Sequence, residues 1–266
     1  MTLSELVDAL SARRGPALTW YGADGGRTEL GGPVVARWVA KIANLLGTDL
    51  AGDLFGEPAP APGAPAGPGS PARVARIELG RSWQAVVWTA AAWLSGWEVR
   101  GGAPTDSPGG GAIDEGDATV WVVASLDAAA VNAAQSGVWV LAQDLSPLAL
   151  SWAGEPLPEG VMDALGELMA QPDVLVVAAP AIGVPNSAGA PDSAENHAGA
   201  LVDEEDADAP ERVLLEARDP ADTARDVLGL WTAGRSAVVV DDAADEARLE
   251  RIAAQERAVW NSAPSL

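Results

Sequence analysis

The feature that most constrains the fold is an internal repeat of a strand, a helix and a second strand. Pro71-Ala72-Arg73-Val74 opens a β-rich run, an apolar helix follows, and Trp93-Leu94-Ser95-Gly96 ends that helix before another β-rich run. The same order returns with Pro210-Glu211-Arg212-Val213 and Trp231-Thr232-Ala233-Gly234. Each copy fits a βαβ unit. A chance likeness between two such units is the alternative, and the matched ends favour a true repeat.

The rest of the chain continues this alternation. Helical spacing is found at residues 3–12, 82–94, 128–134, 161–169, 221–232 and 243–258, and β-rich runs at 17–21, 74–79, 97–99, 119–124, 138–142, 174–178, 212–215 and 237–240. Pro33 opens one more helix, with an apolar face of Val34, Trp38, Ile42, Leu45 and Leu46. The apolar run at 174–178 is typical of a central parallel strand. The predicted class is α/β, with two pseudo-symmetric βαβ-containing halves and mostly parallel sheets.

Two segments interrupt the pattern. Residues 56–71 are almost entirely Pro, Ala and Gly, and residues 185–209 are polar, small and acidic. Such segments bury too little apolar surface to offset their ordering entropy, so both are expected to be loops. The predicted organisation is a first α/β half at 1–150, containing the flexible insertion 56–71, and a second half at 160–266, containing the acidic loop 185–209.

Charge excludes several partner classes. The chain has 16 Lys plus Arg against 38 Asp plus Glu, a net charge of −22. Such a surface repels nucleic acid and anionic membranes, and neither is an expected partner. No cysteine is present, which excludes disulfides and thiolate chemistry. The N-terminus does not resemble a signal peptide, so a cytoplasmic location is expected.

Several segments together resemble a known superfamily. Residues 18–20, 28–30 and 36–46 are similar to the opening strands and the first helix of the AMP-binding, acyl-adenylate-forming enzymes, which include acyl-CoA synthetases and peptide-synthetase adenylation domains. Residues 82–96, 212–215, 230–240 and 249–257 resemble later elements of their N-terminal region. The nearest resemblance is to a short, uncharacterised actinobacterial family related to these enzymes. It implies paired α/β subdomains.

The catalytic motifs of that superfamily are not found in this sequence. Its phosphate loop is rich in Ser, Thr and Gly and ends in Pro-Lys-Gly, whereas the corresponding residues 178–190 contain neither Thr nor Lys. The chain is also expected to end before the adenine and ribose motifs and the domain with the catalytic lysine. Lys41 is the only lysine, and its place on the second helix predicts a solvated surface charge. No catalytic residue is therefore assigned, and cofactor-binding residues stay open.

For the other candidate residues, a structural role explains the sequence better than a functional site does. His197 is the only histidine, and no Gly-x-Ser-x-Gly motif accompanies it. The acidic residues 203–208 do not match an EF-hand, so no metal site is predicted. The glycines at 101–102 and 109–111 indicate turns. Trp83, Trp88 and Trp93 lie five residues apart on different helix faces and are expected to fill the core.

These observations predict a non-catalytic, truncated relative of adenylate-forming enzymes that acts as a binding or interaction protein without a cofactor. A protein partner or a homo-oligomer is compatible with it. Two alternatives stay open: a remnant that binds a nucleotide or acyl ligand, and a ligase half completed in trans by a separate polypeptide.

Overall fold

A computed structural model describes residues 1–50, 73–101, 118–147, 149–177, 212–241 and 245–260. The strands in these ranges are β1 (Pro16–Tyr21), β2 (Arg27–Gly31), β3 (Val74–Glu78), β4 (Glu98–Gly101), β5 (Val120–Val123), β6 (Trp139–Ala142), β7 (Val161–Asp163), β8 (Arg212–Glu216) and β9 (Ser236–Val240). The helices are α1 (Leu3–Ala12), α2 (Gly32–Gly47), α3 (Trp83–Leu94), α4 (Ala128–Gln135), α5 (Ala164–Ala170), α6 (Pro220–Thr232) and α7 (Glu246–Glu256).

The described strands form two sheets, and the α/β class with mostly parallel pairing is confirmed. One sheet has the order β4-β3-β5-β6-β7, with all neighbours parallel. The other has the order β2-β1-β9-β8, in which only β1 and β2 are antiparallel. The second sheet therefore joins strands from both ends of the chain. The predicted halves 1–150 and 160–266 stay a prediction. The sheets divide the described residues differently, because β1 and β2 share a sheet with β8 and β9, and β3 to β7 form the other sheet.

Side chains on both faces of the central strands β5 and β9 are buried, which explains their continuous apolar runs. In β9, Ala237 and Val239 join the central core, while Val238 and Val240 pack with Leu249 and Ile252 of α7. In β5, Val120 and Val122 face the central core, and Trp121 and Val123 belong to the cluster that includes α4. Helices α1, α2, α3 and α6 supply most of the central core between the sheets. The arrangement is layered, with α4 and α7 outermost.

The repeated βαβ units are both formed. In the first, β3 and β4 are parallel neighbours joined by α3, and in the second β8 and β9 are parallel neighbours joined by α6. The helices end alike, because Gly96 has φ of 81° and Gly234 has φ of 71°, values that glycine adopts without strain. Helices α3 and α6 pack against each other in the central layer, so the two units meet through their crossover helices.

Three predictions of local structure are wrong in whole or in part. On α2, the predicted residues Ile42, Leu45 and Leu46 are buried and Trp38 packs against the core, so most of the predicted face is correct. Val34 is the exception: it is 38% exposed, and the neighbouring Val35 is buried instead. The predicted helix at 161–169 starts with a strand, since Val161–Asp163 pairs with β6. Asp163 then caps α5, with its Oδ1 accepting a hydrogen bond from the Leu165 N–H at 3.0 Å.

The third error concerns the predicted strand at 174–178, of which residue 178 lies outside the described residues. Residues 174–177 join neither sheet, and Val174 and Val176 are 65% and 58% exposed. The buried Asn44 side chain of α2 binds this segment instead. Its Nδ2 donates to the Val174 carbonyl at 2.9 Å, and its Oδ1 accepts from the Val176 N–H at 2.9 Å. One side chain therefore makes the backbone bonds that a neighbouring strand would otherwise make.

Candidate functional site

Loops at the carboxyl ends of parallel strands form the candidate site. In the five-stranded sheet, β4 lies on one side of β3 and β5 on the other, so the strand order reverses between β3 and β5. In open α/β sheets, ligands bind outside the carboxyl ends of the strands at such a switch point. The loops at this position are residues 79–82 after β3 and residues 124–127 after β5. A binding site at this edge of the sheet is expected at these two loops.

Each of these loops leads into a helix capped by its own side chain. Ser82 Oγ accepts a hydrogen bond from the Ala85 N–H at 3.1 Å at the start of α3. Asp127 Oδ1 accepts from the Ala130 N–H at 2.8 Å at the start of α4. Helix α3 enters the central core, and α4 covers the opposite face of the sheet. The two loops therefore lead to helices on opposite faces of the sheet, as expected at a switch point.

An open cleft of about 620 Å³ lies beside the loop after β5. We call it the β5 cleft. Its walls come from residues 124–128, from the first turns of α4, and from the segment 152–158, and they include Ser125, Asp127, Asn132, Trp152, Glu155 and Pro156. The volume falls in the range of small-molecule sites, about 300–1,000 Å³. Aromatic, proline and aliphatic surfaces alternate here with a few polar groups, which is the usual composition of such sites.

The outer wall of the β5 cleft is held in place by hydrogen bonds. The Trp152 backbone N–H donates to Asp163 Oδ2 at 3.0 Å, which ties the wall to the end of β7. The Trp152 indole Nε1–H donates to the Glu155 carbonyl at 2.9 Å. Gly154 packs on the indole ring so closely that a Cβ there would lie 2.6 Å from Trp152 Cζ2. The indole ring is therefore fixed as a wall of the cleft.

Negative charge dominates the carboxyl ends of the strands. Among the residues that the structure describes, the β5 cleft is lined by the acidic residues Asp127 and Glu155 and by no Lys or Arg. At the end of β6, hydrogen bonds from Ser146 lower the pKa of Asp144, which stays ionised at neutral pH. The side chain of neighbouring Gln143 is buried and accepts from the Trp88 indole at 3.3 Å. This part of the surface therefore has an acidic character.

Two arginines lie in the described loops that follow strands, and a carboxylate holds each of them. Arg81, after β3, lies 3.7 Å from Asp241, which follows β9, so the carboxyl ends of the two sheets meet there. Arg218, after β8, pairs with Asp226 of α6. Burial raises the pKa of Asp226, and the Arg218 guanidinium opposes that rise. Their positive charge is thus partly neutralised within the protein.

The structure places Lys41 away from the strand ends and corrects the expectation of a solvated charge. Its side chain is 12% exposed, its Nζ donates to the Gln171 carbonyl, and it pairs with Asp173 at 2.9 Å. The Lys41 ammonium lowers the pKa of Asp173. The lysine therefore fastens the segment after α5 onto α2.

Most other candidates lie outside the described residues. These are His197, the acidic residues 203–208, the glycines at 109–111, the segment 178–190 and the insertion 56–71. Within the described residues, no three acidic or histidine side chains are grouped closely enough to hold a metal ion. Among the helices whose residues are described, none has the length and apolar character needed to cross a membrane.

The tryptophans of α3 fill the core, as expected. Trp83 and Trp88 are buried, and Trp93 packs against the central core. Trp83 also meets Trp38 of α2 edge to face, with 5.3 Å between ring centroids. Sequence reasoning missed Asp127, Trp152 and Glu155. The available signal for Asp127 was its place, with Ser125, between a β-rich run and a helix, which marks the carboxyl end of a parallel strand.

Solved structures of several enzymes share this arrangement. An acyl-CoA synthetase from Brucella canis aligns with 97% of this chain and 46% of its own, at 15% identity and a TM-score of 0.60. The amide bond synthetase McbA from Marinactinospora thermotolerans aligns with 97% of this chain and 47% of its own, at 18% identity and a TM-score of 0.56. The chain has the fold of the N-terminal region of adenylate-forming enzymes.

The adenylate-forming fold is what these comparisons establish, since identities this low show the fold alone. The N-terminal subdomain of NpsA from Klebsiella oxytoca aligns with 97% of this chain and 58% of its own, at 12% identity and a TM-score of 0.50. The chain spans about half the length of the enzymes it matches. No protein-family model and no curated protein sequence matches it.

Proposed function

We propose that this chain is a non-catalytic protein with the adenylate-forming N-terminal fold, acting as a binding or interaction protein. One observation carries the proposal. In the described loops after strands, both arginines are paired with carboxylates, and the single lysine is bound elsewhere. Forming an acyl-adenylate requires positive charge aimed at the negative charge that develops on phosphate and carboxylate. In these described loops, both guanidinium groups are already paired with carboxylates of the same chain.

The small-molecule alternative is favoured by a separate observation, the β5 cleft. A site of this size at the carboxyl end of a parallel strand is a usual place for a ligand. The acidic walls are unsuited to nucleotide phosphates and to acyl carboxylates. We therefore propose that binding, rather than adenylation, is the activity retained by this region. Its relationship to an actinobacterial branch rests on the sequence resemblance and belongs to the same proposal.

A third candidate is a ligase half completed in trans. It is favoured only by the fact that this chain aligns with about half of the length of the matched enzymes. The matched enzymes extend well beyond the aligned part, so a second polypeptide could supply their remaining region. This candidate predicts that activity appears when such a polypeptide is added. The non-catalytic proposal predicts none.

Pyrophosphate exchange tests the proposal directly. The purified chain is incubated with ATP, labelled pyrophosphate and panels of fatty, aryl and amino acids, alone and with a separately produced C-terminal domain of an acyl-CoA synthetase. We expect no exchange above a protein-free control in either series. Exchange by the chain alone would overturn the proposal, and exchange only with the added domain would favour completion in trans. Thermal shift with AMP, ATP and acyl-CoA identifies any retained nucleotide or acyl site.

A further inference from the structure

The shape of the β5 cleft restricts what can occupy it. It is open to solvent, about 620 Å³ in volume, and bounded on one side by a fixed indole ring and on the other by the first turns of α4. Leu126, Val131 and Pro156 contribute apolar surface between these walls. A compact ligand with an apolar body fits this lining better than a fully polar one.

The charge of the β5 cleft selects the sign of that ligand. Its ionisable lining residues are Asp127 and Glu155, and among the residues that the structure describes neither takes part in an ion pair. Two carboxylates without a cationic partner, in a cleft that Trp152 also lines, favour a cation, since a positive group is attracted both by carboxylates and by an aromatic ring.

The N-terminus of α4 is the feature that argues for an anion instead. A helix N-terminus carries about half a positive elementary charge. At α4, however, Asp127 already occupies that position, with Oδ1 bound to the Ala130 N–H. One carboxylate outweighs the helix dipole, and Glu155 adds a second. The protein's net charge of −22 further raises the local concentration of cations over anions.

We propose that the β5 cleft binds a small amphipathic organic cation, an amine protonated at neutral pH with an aromatic or aliphatic body. The inference rests on the proposed binding function and deepens it by naming a ligand class. The apolar body lies against Trp152 and Pro156, and the ammonium group lies between Asp127 and Glu155.

Three probes with the same ring and different charges test the sign. Tryptamine is cationic, tryptophol is neutral and indole-3-acetate is anionic. In calorimetric titrations of the full chain at low ionic strength, we expect tryptamine to bind most tightly, tryptophol more weakly and indole-3-acetate not at all. Absence of binding at millimolar tryptamine, or equal binding of the three probes, would overturn the inference.

Matched variants locate the site. Glu155→Gln and Asp127→Asn each remove one charge from the cleft, and asparagine remains a good helix cap. Each is expected to weaken tryptamine binding about two- to fivefold, the range that partly exposed charge pairs give. The control is Glu159→Gln, which makes the same change in net charge at an exposed position outside the cleft lining. Equal weakening by Glu159→Gln would mean general attraction by the acidic surface and would refute the site.

The two proposals fail separately. If amines do not bind but nucleotides or acyl-CoA raise the melting temperature, the inference about the β5 cleft is wrong and the binding function stands. If the chain catalyses pyrophosphate exchange, the non-catalytic proposal is wrong whatever the amines do. Tryptamine binding that falls with Glu155→Gln and not with Glu159→Gln supports the inference.

Discussion

Glu256, at the end of α7, is the buried carboxylate through which that helix is attached to the four-stranded sheet. It is 4% exposed. Its carboxylate accepts hydrogen bonds from the Tyr21 hydroxyl at 2.5 Å and from Arg27 Nε at 2.8 Å, and it pairs with Arg212 at 3.0 Å. These partners lie on β1, β2 and β8. We predict that Glu256→Gln loosens α7 from the sheet without changing side-chain size.

The loss in the free energy of unfolding follows from the arginine charges that glutamine leaves without a carboxylate partner. Removing one partner of a buried ion pair costs about 3–5 kcal/mol, because the other charge stays buried without compensation. Arg27 is 36% exposed and Arg212 19% exposed, so both recover some hydration and the cost falls. We expect the free energy of unfolding to drop by about 2–4 kcal/mol, set against a total of about 5–15 kcal/mol for ordinary domains.

The same group gives a pH dependence of known sign. The hydrogen bond from Arg27 lowers the pKa of Glu256 below its ordinary value of 4.5. A carboxylate whose pKa is depressed by folding contributes stability that is fully present above its unfolded pKa and is lost as the pH falls through its folded pKa. The difference in stability between the native chain and Glu256→Gln should therefore be largest near neutral pH and shrink below about pH 4.5.

Urea unfolding followed by tryptophan fluorescence measures this difference. The matched control is Glu250→Gln, an exposed position on the same helix, which should change stability by less than about 0.5 kcal/mol. If Glu256→Gln costs no more than Glu250→Gln, the network does not hold α7. If the gap between Glu256→Gln and the native chain persists unchanged at low pH, its electrostatic origin is refuted.

Three further predictions concern local structure. Asn44→Ala removes the hydrogen bonds to Val174 and Val176 and should lower the free energy of unfolding by about 2 kcal/mol. Limited proteolysis near residues 171–177 should become faster, and unchanged proteolysis would contradict the anchoring role. Thr2→Ala removes the capping box of α1 and should cost about 1 kcal/mol by thermal unfolding. Gly234→Ala meets no atom within 4 Å, so any cost, about 1–2 kcal/mol, comes from its φ of 71° alone.

The sequence predicted the βαβ units because the residues that begin and end their helices lie next to those helices in the chain. Ser82 begins α3, and Gly96 and Gly234 follow the ends of α3 and α6. The run at 174–178 failed for a tertiary reason. Its composition suits a buried strand, and whether residues 174–177 join a sheet depends on the Asn44 side chain, far away in the sequence.

Sheet membership and the β5 cleft required the structure. Nothing local to β1 indicates that its parallel neighbour is β9, more than two hundred positions later, where Leu18 pairs with Ala237. The cleft likewise joins a loop after β5 to a wall at Trp152 that is fixed by Asp163. Each part is an ordinary loop in sequence, and only their meeting produces a site.

The acidic residues at the carboxyl ends of the strands also explain how this fold can be kept while the class of ligand changes. A phosphate site on an α/β sheet needs helix N-termini or basic groups free to meet the anion. In the described loops Arg81 and Arg218 face Asp241 and Asp226, while α4 begins with a carboxylate on its own N-terminus. A polyphosphate would have to displace these internal partners, whereas a cation needs no such exchange. The layered core depends on apolar side chains elsewhere, so the fold is compatible with either ligand, and the charges at the strand ends favour the cation.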